Sequence, residues 1–110
     1  MYITLKTTKL NGGFIEMNLR DLYFLMAGKA YKEQDYKKAA ELYQEALKYK
    51  CVPGGLNTDA LCYSNLGMAL SGYGDYLQAY LCLKKAQSLG LNNLPIEREL
   101  RWLKDNAGIG

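Results

Sequence analysis

The 110-residue sequence contains no histidine, two prolines and three cysteines. The absence of histidine removes the commonest metal ligand and the commonest general base of enzymes. Cys51, Cys62 and Cys82 show no CxxC spacing, so we expect reduced thiols packed as small apolar groups in a reducing, cytoplasmic compartment. The chain also has no glycine-rich phosphate loop and no Ser or Cys nucleophile beside a base. We therefore predict that the protein is not an enzyme and has no cofactor and no metal site.

Charge and hydrophobicity exclude two further classes of partner. The formal net charge is +3, and the lysines and arginines form no basic stripe with interleaved aromatic residues, so we expect no nucleic acid partner. No apolar stretch approaches the roughly 18 residues that a membrane span requires, so we expect no membrane insertion. Ten tyrosines accompany only two phenylalanines. This bias favours half-buried positions, where a ring packs and its hydroxyl stays hydrated.

Residues 1–17 differ in composition from the rest of the chain. Tyr2, Ile3 and Leu5, together with several threonines, favour an extended backbone, and the Asn-Gly-Gly sequence at 11–13 is typical of a turn or linker. A short strand, a disordered arm and a remnant of a longer parent protein are all compatible with this pattern. We assign the segment as an N-terminal arm that is extended or disordered.

From Asn18 onward the apolar residues follow helical spacing, and the breaks between them predict about five helices. No strand is expected in this body, so the predicted fold class is all-α. The first helix is expected to begin after an N-cap at Asn18 and to stop at Asp35, which also caps the second helix, and the second helix is expected to end at the break at 51–55. The third helix is expected to have its cap at Thr58 or Asp59 and its end near Gly72. The fourth is expected to run from Tyr76 to about Leu89 with Gly90 as its C-cap, and the fifth to open with Pro95 at its first position and to stop at Gly108.

Two segments of this body align without a gap at a constant offset of 40 residues. The first, from Tyr23 to Ala46, reads YFLMAGKAYKEQDYKKAAELYQEA. The second, from Tyr63 to Ala86, reads YSNLGMALSGYGDYLQAYLCLKKA. The matching positions are Tyr23 with Tyr63, Asp35-Tyr36 with Asp75-Tyr76, Ala39 with Ala79, and Ala46 with Ala86.

The paired segments resemble the tetratricopeptide repeat (TPR), whose pattern is W-x₂-L-G-x₂-Y, then A-x₃-F, then A and P. The second copy has Leu66-Gly67 as in the pattern, whereas the first has Met26-Ala27, and both lack the closing proline. The resemblance implies a right-handed array of antiparallel helix pairs, an α-solenoid, spanning residues 18–110. Its parts would be repeat 1 at about 20–53, repeat 2 at about 60–93 and a capping helix at about 95–106, whose charged residues from Glu97 to Asp105 suit a solvated outer side.

The resemblance also predicts how the helices pack. Small residues are expected where the two helices of a pair cross, and larger residues around those crossings. TPR units usually repeat every ~34 residues, so this pair carries about six extra residues. We expect them to extend the second helix by one or two turns and to lengthen the loop that contains Pro53. The small residues are Ala27 or Gly67, Ala39 and Ala79, and the large ones are Tyr23, Tyr43, Tyr63 and Leu83.

In TPR proteins a partner lies on the concave surface lined by the first helix of each pair, and the resemblance carries this to the present chain. The expected groove is apolar and adaptable, with Asn65 as a hydrogen-bond donor. Some TPR proteins clamp acidic chaperone tails with lysines and asparagines. Here Phe24 and Gly28 stand where a lysine and an asparagine would be needed, so we do not predict that activity. The predicted groove residues are Phe24, Tyr31, Lys32, Leu61, Ser64, Asn65 and Met68.

These observations predict a protein–protein interaction module, an adaptor or scaffold that binds a peptide segment or a helix of a partner protein. The alternative is a self-associating structural unit whose groove or end face mediates homo-oligomerisation. Two repeats and a cap bury little apolar surface, and about three units are usually needed for independent stability. The N-terminal arm, or a second copy of the chain in a homodimer, would supply the missing burial.

Overall fold

The computed structural model describes the backbone of residues 4–10 and 13–110, and the side chains from Asn18 onward. Two strands, Thr4–Leu10 (β1) and Gly13–Asn18 (β2), form an antiparallel hairpin in which Thr4 pairs with Asn18 and Leu10 pairs with Gly13. The start of the predicted N-terminal arm, residues 1–3, and residues 11–12 of the predicted turn lie outside the described residues. The second strand leads directly into the first helix.

Five helices follow in the part of the chain that the structure describes, which confirms the prediction of an all-α body with about five helices. Each helix packs against the next one along the chain. None of the described helices is both long enough and apolar enough to cross a membrane. The helices are Leu19–Lys32 (α1), Tyr36–Leu47 (α2), Asp59–Tyr73 (α3), Tyr76–Ser88 (α4) and Leu94–Ala107 (α5).

The helix N-termini use side-chain caps, most of which the sequence predicted. Asn18 accepts a hydrogen bond from the Asp21 amide at 2.8 Å, and Thr58, rather than Asp59, caps α3 by accepting from the Leu61 amide at 3.2 Å. Such caps satisfy amides that have no partner within the helix. The prediction for α5 was wrong by one residue, because Asn93 caps that helix and Leu94 precedes Pro95 as its first residue.

The turns between α1 and α2 and between α3 and α4 are similar, and their aspartates have nearly identical dihedral angles. Asp35 adopts φ −87° and ψ 74°, and Asp75 adopts φ −87° and ψ 73°. The Asp35 amide donates to the Ala30 carbonyl at 2.9 Å, and the Asp75 amide donates to the Leu70 carbonyl at 2.9 Å. Each aspartate side chain then caps the following helix. Both pairs of helices are thus closed by similar turns.

The connection between α2 and α3 differs from the expectation. The helix α2 is 12 residues long and α4 is 13 residues long, so the predicted extension of the second helix is wrong and the additional residues lie in the loop. After the end of α2, the Tyr49 ring stacks on Tyr23, with centroids 5.9 Å apart and an interplanar angle of 12°. The Tyr49 carbonyl accepts a hydrogen bond from Arg20 at 2.7 Å, so its partner is a side chain of α1 and not an amide of α2.

Arg20 holds this loop against the start of α1. Its side chain is only 1% exposed, and its Nε donates to the Asn57 carbonyl at 3.1 Å. Its Nη2 forms an ion pair with Asp59 Oδ1 at 2.8 Å but makes no hydrogen bond. The two hydrogen bonds and the ion pair together offset the cost of burying a guanidinium. One side chain therefore joins α1, the loop and the first turn of α3.

Small residues lie at the helix crossings, as predicted. An added Cβ at Gly67 would lie 2.8 Å from Leu83 Cγ and 3.2 Å from the Ala79 carbonyl oxygen, so α3 and α4 meet at this glycine. Ala27 and Ala39 are fully buried in the corresponding places of α1 and α2. Close packing of this kind brings the helix backbones together, and the larger side chains then fill the space beside each crossing. Of these, Tyr43 and Leu83 are buried, whereas Tyr23 and Tyr63 are partly buried against the core.

Candidate functional site

A cleft of about 680 Å³ opens where the ends of four helices approach the face of α5. The last turn of α1 and the first turn of α2 form one wall, and the first turn of α4 together with α5 forms the other. The end of α3 forms the floor between them. The lining residues are Tyr31, Tyr36, Met68, Ser71, Gly72, Tyr76, Pro95, Arg98, Glu99 and Trp102.

One face of α5 supplies four of the lining side chains. Pro95, Arg98, Glu99 and Trp102 follow the spacing i, i+3, i+4 and i+7, which places them on the same side of a helix. Ile96 and Leu103 lie on a different face and are fully buried in the core. The prediction that the charged residues of this helix all lie on a solvated outer side was therefore wrong for Glu99, which is half-buried in the cleft.

The cleft exists because two matching positions carry residues of different size. Tyr31 near the end of α1 packs edge-on against Tyr36, with ring centroids 5.2 Å apart. The position 40 residues later holds Ser71, and the small serine leaves the space open. Its hydroxyl donates a hydrogen bond to Glu99 Oε2 at 3.1 Å and so links the end of α3 to α5. Beside it, Tyr76 packs on Trp102 with centroids 5.4 Å apart.

Gly72 positions one aromatic wall. A Cβ at this residue would lie 2.7 Å from Cγ of the Tyr36 ring and 2.9 Å from both of its Cδ atoms. These distances are shorter than any real carbon–carbon contact, so the ring can lie flat on the backbone of α3 only because residue 72 is glycine. The orientation of Tyr36 in the cleft therefore depends on the absence of a Cβ atom at residue 72.

A second, smaller cavity of about 190 Å³ continues the cleft along α3. Tyr31 and Met68 line both cavities, and Tyr43 and Asn65 complete the smaller one. Phe24 packs against the far side of Tyr43 at 5.4 Å, in an edge-to-face contact. We call the two cavities together the groove. It runs from Asn65 to α5 and is crossed by Tyr31 and Met68 at its middle.

Two tyrosines of the groove, Tyr31 and Tyr43, have pKa values raised above the usual value. Burial raises the pKa of Tyr31 above its usual value, and the nearby Tyr36 and the Glu99 carboxylate raise it further. Burial also raises the pKa of Tyr43, with a smaller contribution from Cys62 and an opposing one from Asn65. These hydroxyls therefore remain neutral hydrogen-bond donors at physiological pH and are poor general bases.

The thiols near the core are also kept protonated. All three cysteines are free. Burial raises the pKa of Cys62 to about 11, and burial likewise raises the pKa of Cys82 to about 11. Cys62 Sγ lies 3.6 Å from the Tyr43 carbonyl oxygen and donates to it. A thiol must ionise to act as a nucleophile, so these two are inert packing groups at neutral pH.

The structure brings together three of the seven residues predicted from the sequence. Tyr31, Asn65 and Met68 line the groove. Of the others, Ser64 is only 6% exposed and so is not presented at the surface. The remaining three, Phe24, Lys32 and Leu61, line neither cavity: Phe24 packs on Tyr43, Lys32 is exposed and Leu61 is half-exposed.

The sequence interpretation missed the contribution of α5 and of the aspartate–tyrosine turns. Tyr36 and Tyr76 follow the two turn aspartates, and they were treated only as parts of the turn. Trp102, which is 43% exposed in the cleft, was not among the predicted groove residues. The spacing of Pro95 to Trp102 on one face was the available signal. No known family model matches the chain, and no curated protein matches it by sequence.

Proposed function

We propose that this chain is a TPR-like module that holds a segment of a partner protein in the groove. The observation that carries the proposal is the groove itself, which is open along its length and presents partly exposed aromatic and methionine side chains. Tyr31 is 38% exposed and Trp102 is 43% exposed. Rigid aromatic side chains and an adaptable methionine are typical anchors at protein interfaces.

Three structural features support the TPR-like interpretation. Asp35 and Asp75, at matching positions of the two turns, have nearly identical dihedral angles. The small residues Ala27 and Gly67 occupy matching buried positions in the two helix pairs. Finally, α5 covers α4 through Ile96, as a terminal helix of a repeat array does.

The chemistry of the groove favours binding over catalysis. Its lining includes one carboxylate, Glu99, and one guanidinium, Arg98. The Glu99 carboxylate already accepts a hydrogen bond from Ser71. The raised pKa values of Tyr31 and Tyr43 keep both hydroxyls as donors. Such an arrangement supplies contacts and orientation, and we propose no reaction for it.

The fluorescence of Trp102 provides a direct test, because the chain contains a single tryptophan and it lies in the cleft. Peptides selected from a random displayed library against the full chain would be titrated while this fluorescence is recorded. We expect Tyr31→Ala to weaken binding by about tenfold, the equivalent of ~1.4 kcal/mol for one aromatic anchor.

The matched control is Tyr73→Ala, which removes an equally large ring that is 51% exposed and lies outside both cavities. It should leave the affinity unchanged, and circular dichroism should show both variants folded. The proposal fails if no library peptide binds, or if selected peptides bind Tyr31→Ala and the parent equally.

Self-association is the second candidate, and exposed leucines on α1 and on α4 favour it. Leu25 on α1 is 61% exposed, and Leu77 and Leu81 lie one turn apart on α4 with 56% and 50% exposure. A second copy of the chain would bury these side chains. Sedimentation over a wide concentration range tests this candidate: a concentration-independent monomer excludes it, whereas a dimer that Leu77→Lys and Leu81→Lys dissociate supports it.

A further inference from the structure

We infer that the segment held in the groove is proline-rich, adopts the polyproline II conformation and carries an arginine or lysine at the position that faces Glu99. This inference rests on the proposed function and names the chemistry of the partner. It follows from the arrangement of the aromatic rings, from the hydrogen-bonding groups that line the cleft and from its charges.

The aromatic rings form two pairs on opposite walls of the cleft. Tyr31 and Tyr36 stand at an interplanar angle of 71°, and Tyr76 and Trp102 stand at 58°. Neither pair is stacked flat, so the two rings of each pair enclose an angle. Polyproline II segments dock in aromatic-lined grooves, where proline rings pack against aromatic side chains. A cleft of about 680 Å³ also takes several residues rather than one side chain.

The cleft is rich in hydrogen-bond donors. The hydroxyls of Tyr31, Tyr36 and Tyr76 and the indole N–H of Trp102 belong to its lining, and the Arg98 guanidinium adds further donors. A proline-rich backbone offers carbonyl acceptors and has few N–H groups, since proline has none. An ordinary extended peptide would bring additional N–H groups, for which the lining offers the Glu99 carboxylate and the hydroxyl oxygens as acceptors. The donors of the lining thus complement a proline-rich chain.

One carboxylate, Glu99, and one guanidinium, Arg98, line the cleft, and of the two the carboxylate is the group that would pair with a basic flanking residue. Glu99 is held in place by the Ser71 hydroxyl at 3.1 Å, and it forms no ion pair with any residue that the structure describes. The neighbouring rings of Tyr31 and Trp102 belong to the same lining and present the faces that attract cations. An arginine or lysine of the partner would therefore meet both a carboxylate and an aromatic wall.

Synthetic peptides titrated into the full chain, with Trp102 fluorescence as the readout and calorimetry as confirmation, test this inference. Two ten-residue proline-rich peptides carry an arginine at one end or the other, because a polyproline II helix can lie in a groove in either direction. We expect one of them to bind at least tenfold more tightly than a matched peptide in which alanine replaces every proline. Replacing its arginine with glutamate should weaken binding by about tenfold more.

A variant pair on α5 isolates the charged contact. Glu99→Gln should remove the preference for arginine over glutamine in the peptide, whereas Glu97→Gln, on the exposed first turn of the same helix, should keep it. The inference is overturned if the alanine peptide binds as tightly as the proline peptide, or if an acidic peptide binds more tightly than the basic one. If library peptides bind but proline-rich peptides do not, the inference alone fails and the proposed function stands. If no peptide of either kind binds, both fail.

Discussion

The turn between α1 and α2 contains a residue that the backbone disfavours, and its replacement should stabilise the protein. Gln34 has a φ of +61°, and it is the single non-glycine residue with positive φ among the described residues. The matching residue of the second turn is Gly74, with a φ of +101°. Both follow a helix and are bonded alike to the carbonyl three residues earlier, Gln34 to Tyr31 and Gly74 to Ser71. Both positions thus require a positive φ, and glycine occupies one of them and glutamine the other.

The size of the effect follows from two opposing terms. A left-handed conformation costs an ordinary residue about 1–2 kcal/mol, because its Cβ approaches the following carbonyl oxygen. Glycine avoids this cost but loses about 0.5–1 kcal/mol more conformational entropy on folding. Gln34→Gly should therefore raise the free energy of unfolding by roughly 0.5–1 kcal/mol and the melting temperature by roughly 2–4 °C. Gly74→Gln should lower the free energy of unfolding by roughly 1–2 kcal/mol, since strain of this kind costs about 1–3 kcal/mol.

Urea unfolding followed by far-ultraviolet circular dichroism measures both changes, provided that the m-value stays constant. Gln34→Ala is the control, because alanine keeps the Cβ while it removes the rest of the side chain, and it should leave the free energy of unfolding nearly unchanged. No atom lies within 4 Å of a Cβ placed on Gly74, so crowding does not contribute there. A destabilised Gln34→Gly, or a stability gain shared by the alanine variant, would refute the backbone explanation.

Three further predictions concern the Arg20 side chain that holds the loop between α2 and α3, the contact of Gly72 with Tyr36 in the cleft, and the buried thiols of Cys62 and Cys82. Arg20→Met should lower the free energy of unfolding by about 2–4 kcal/mol in urea titrations, because it leaves two carbonyls and a carboxylate without their partner, and Arg20→Lys should recover only part of that loss. Gly72→Ala should displace the Tyr36 ring and weaken peptide binding by about fivefold, although alanine favours the helix; unchanged affinity would contradict the assigned contact. The pKa of Cys62 and of Cys82 rises on folding from 9.0 to about 11, so the unfolded chain releases these protons first and stability should fall as pH rises from 9 to 11. The midpoint of urea unfolding tests this, and a double alanine variant should lack the contribution.

Much of the helical body was predictable because its signals are local. Asn18, Asp35 and Thr58 cap helices through their own side chains, and Pro53 breaks the chain wherever it is placed. The length of α2 was not predictable in this way. Just beyond its end, Tyr49 stacks on Tyr23 and accepts a hydrogen bond from the guanidinium of Arg20. In each of these contacts the two residues lie more than 25 positions apart in the sequence.

The candidate site was only partly predictable for a related reason. Tyr31, Asn65 and Met68 were found because they lie on the first helices of the two pairs, where the resemblance places the groove. The contribution of Glu99 and Trp102 required knowing which face of α5 turns toward Ser71. Helical spacing groups those residues on one face but does not say what that face meets, since packing between helices decides it.

The replacement of Tyr31 by Ser71 at matching positions has a consequence for the number of units that the site allows. The cleft needs the tyrosine of the first pair, the serine of the second and the face of α5 within reach of both. A further helix pair inserted between α4 and α5 would carry Glu99 and Trp102 away from Met68 and divide the cleft between two surfaces. Such an insertion would therefore abolish the cleft rather than duplicate it, and two clefts would require two whole modules joined in tandem.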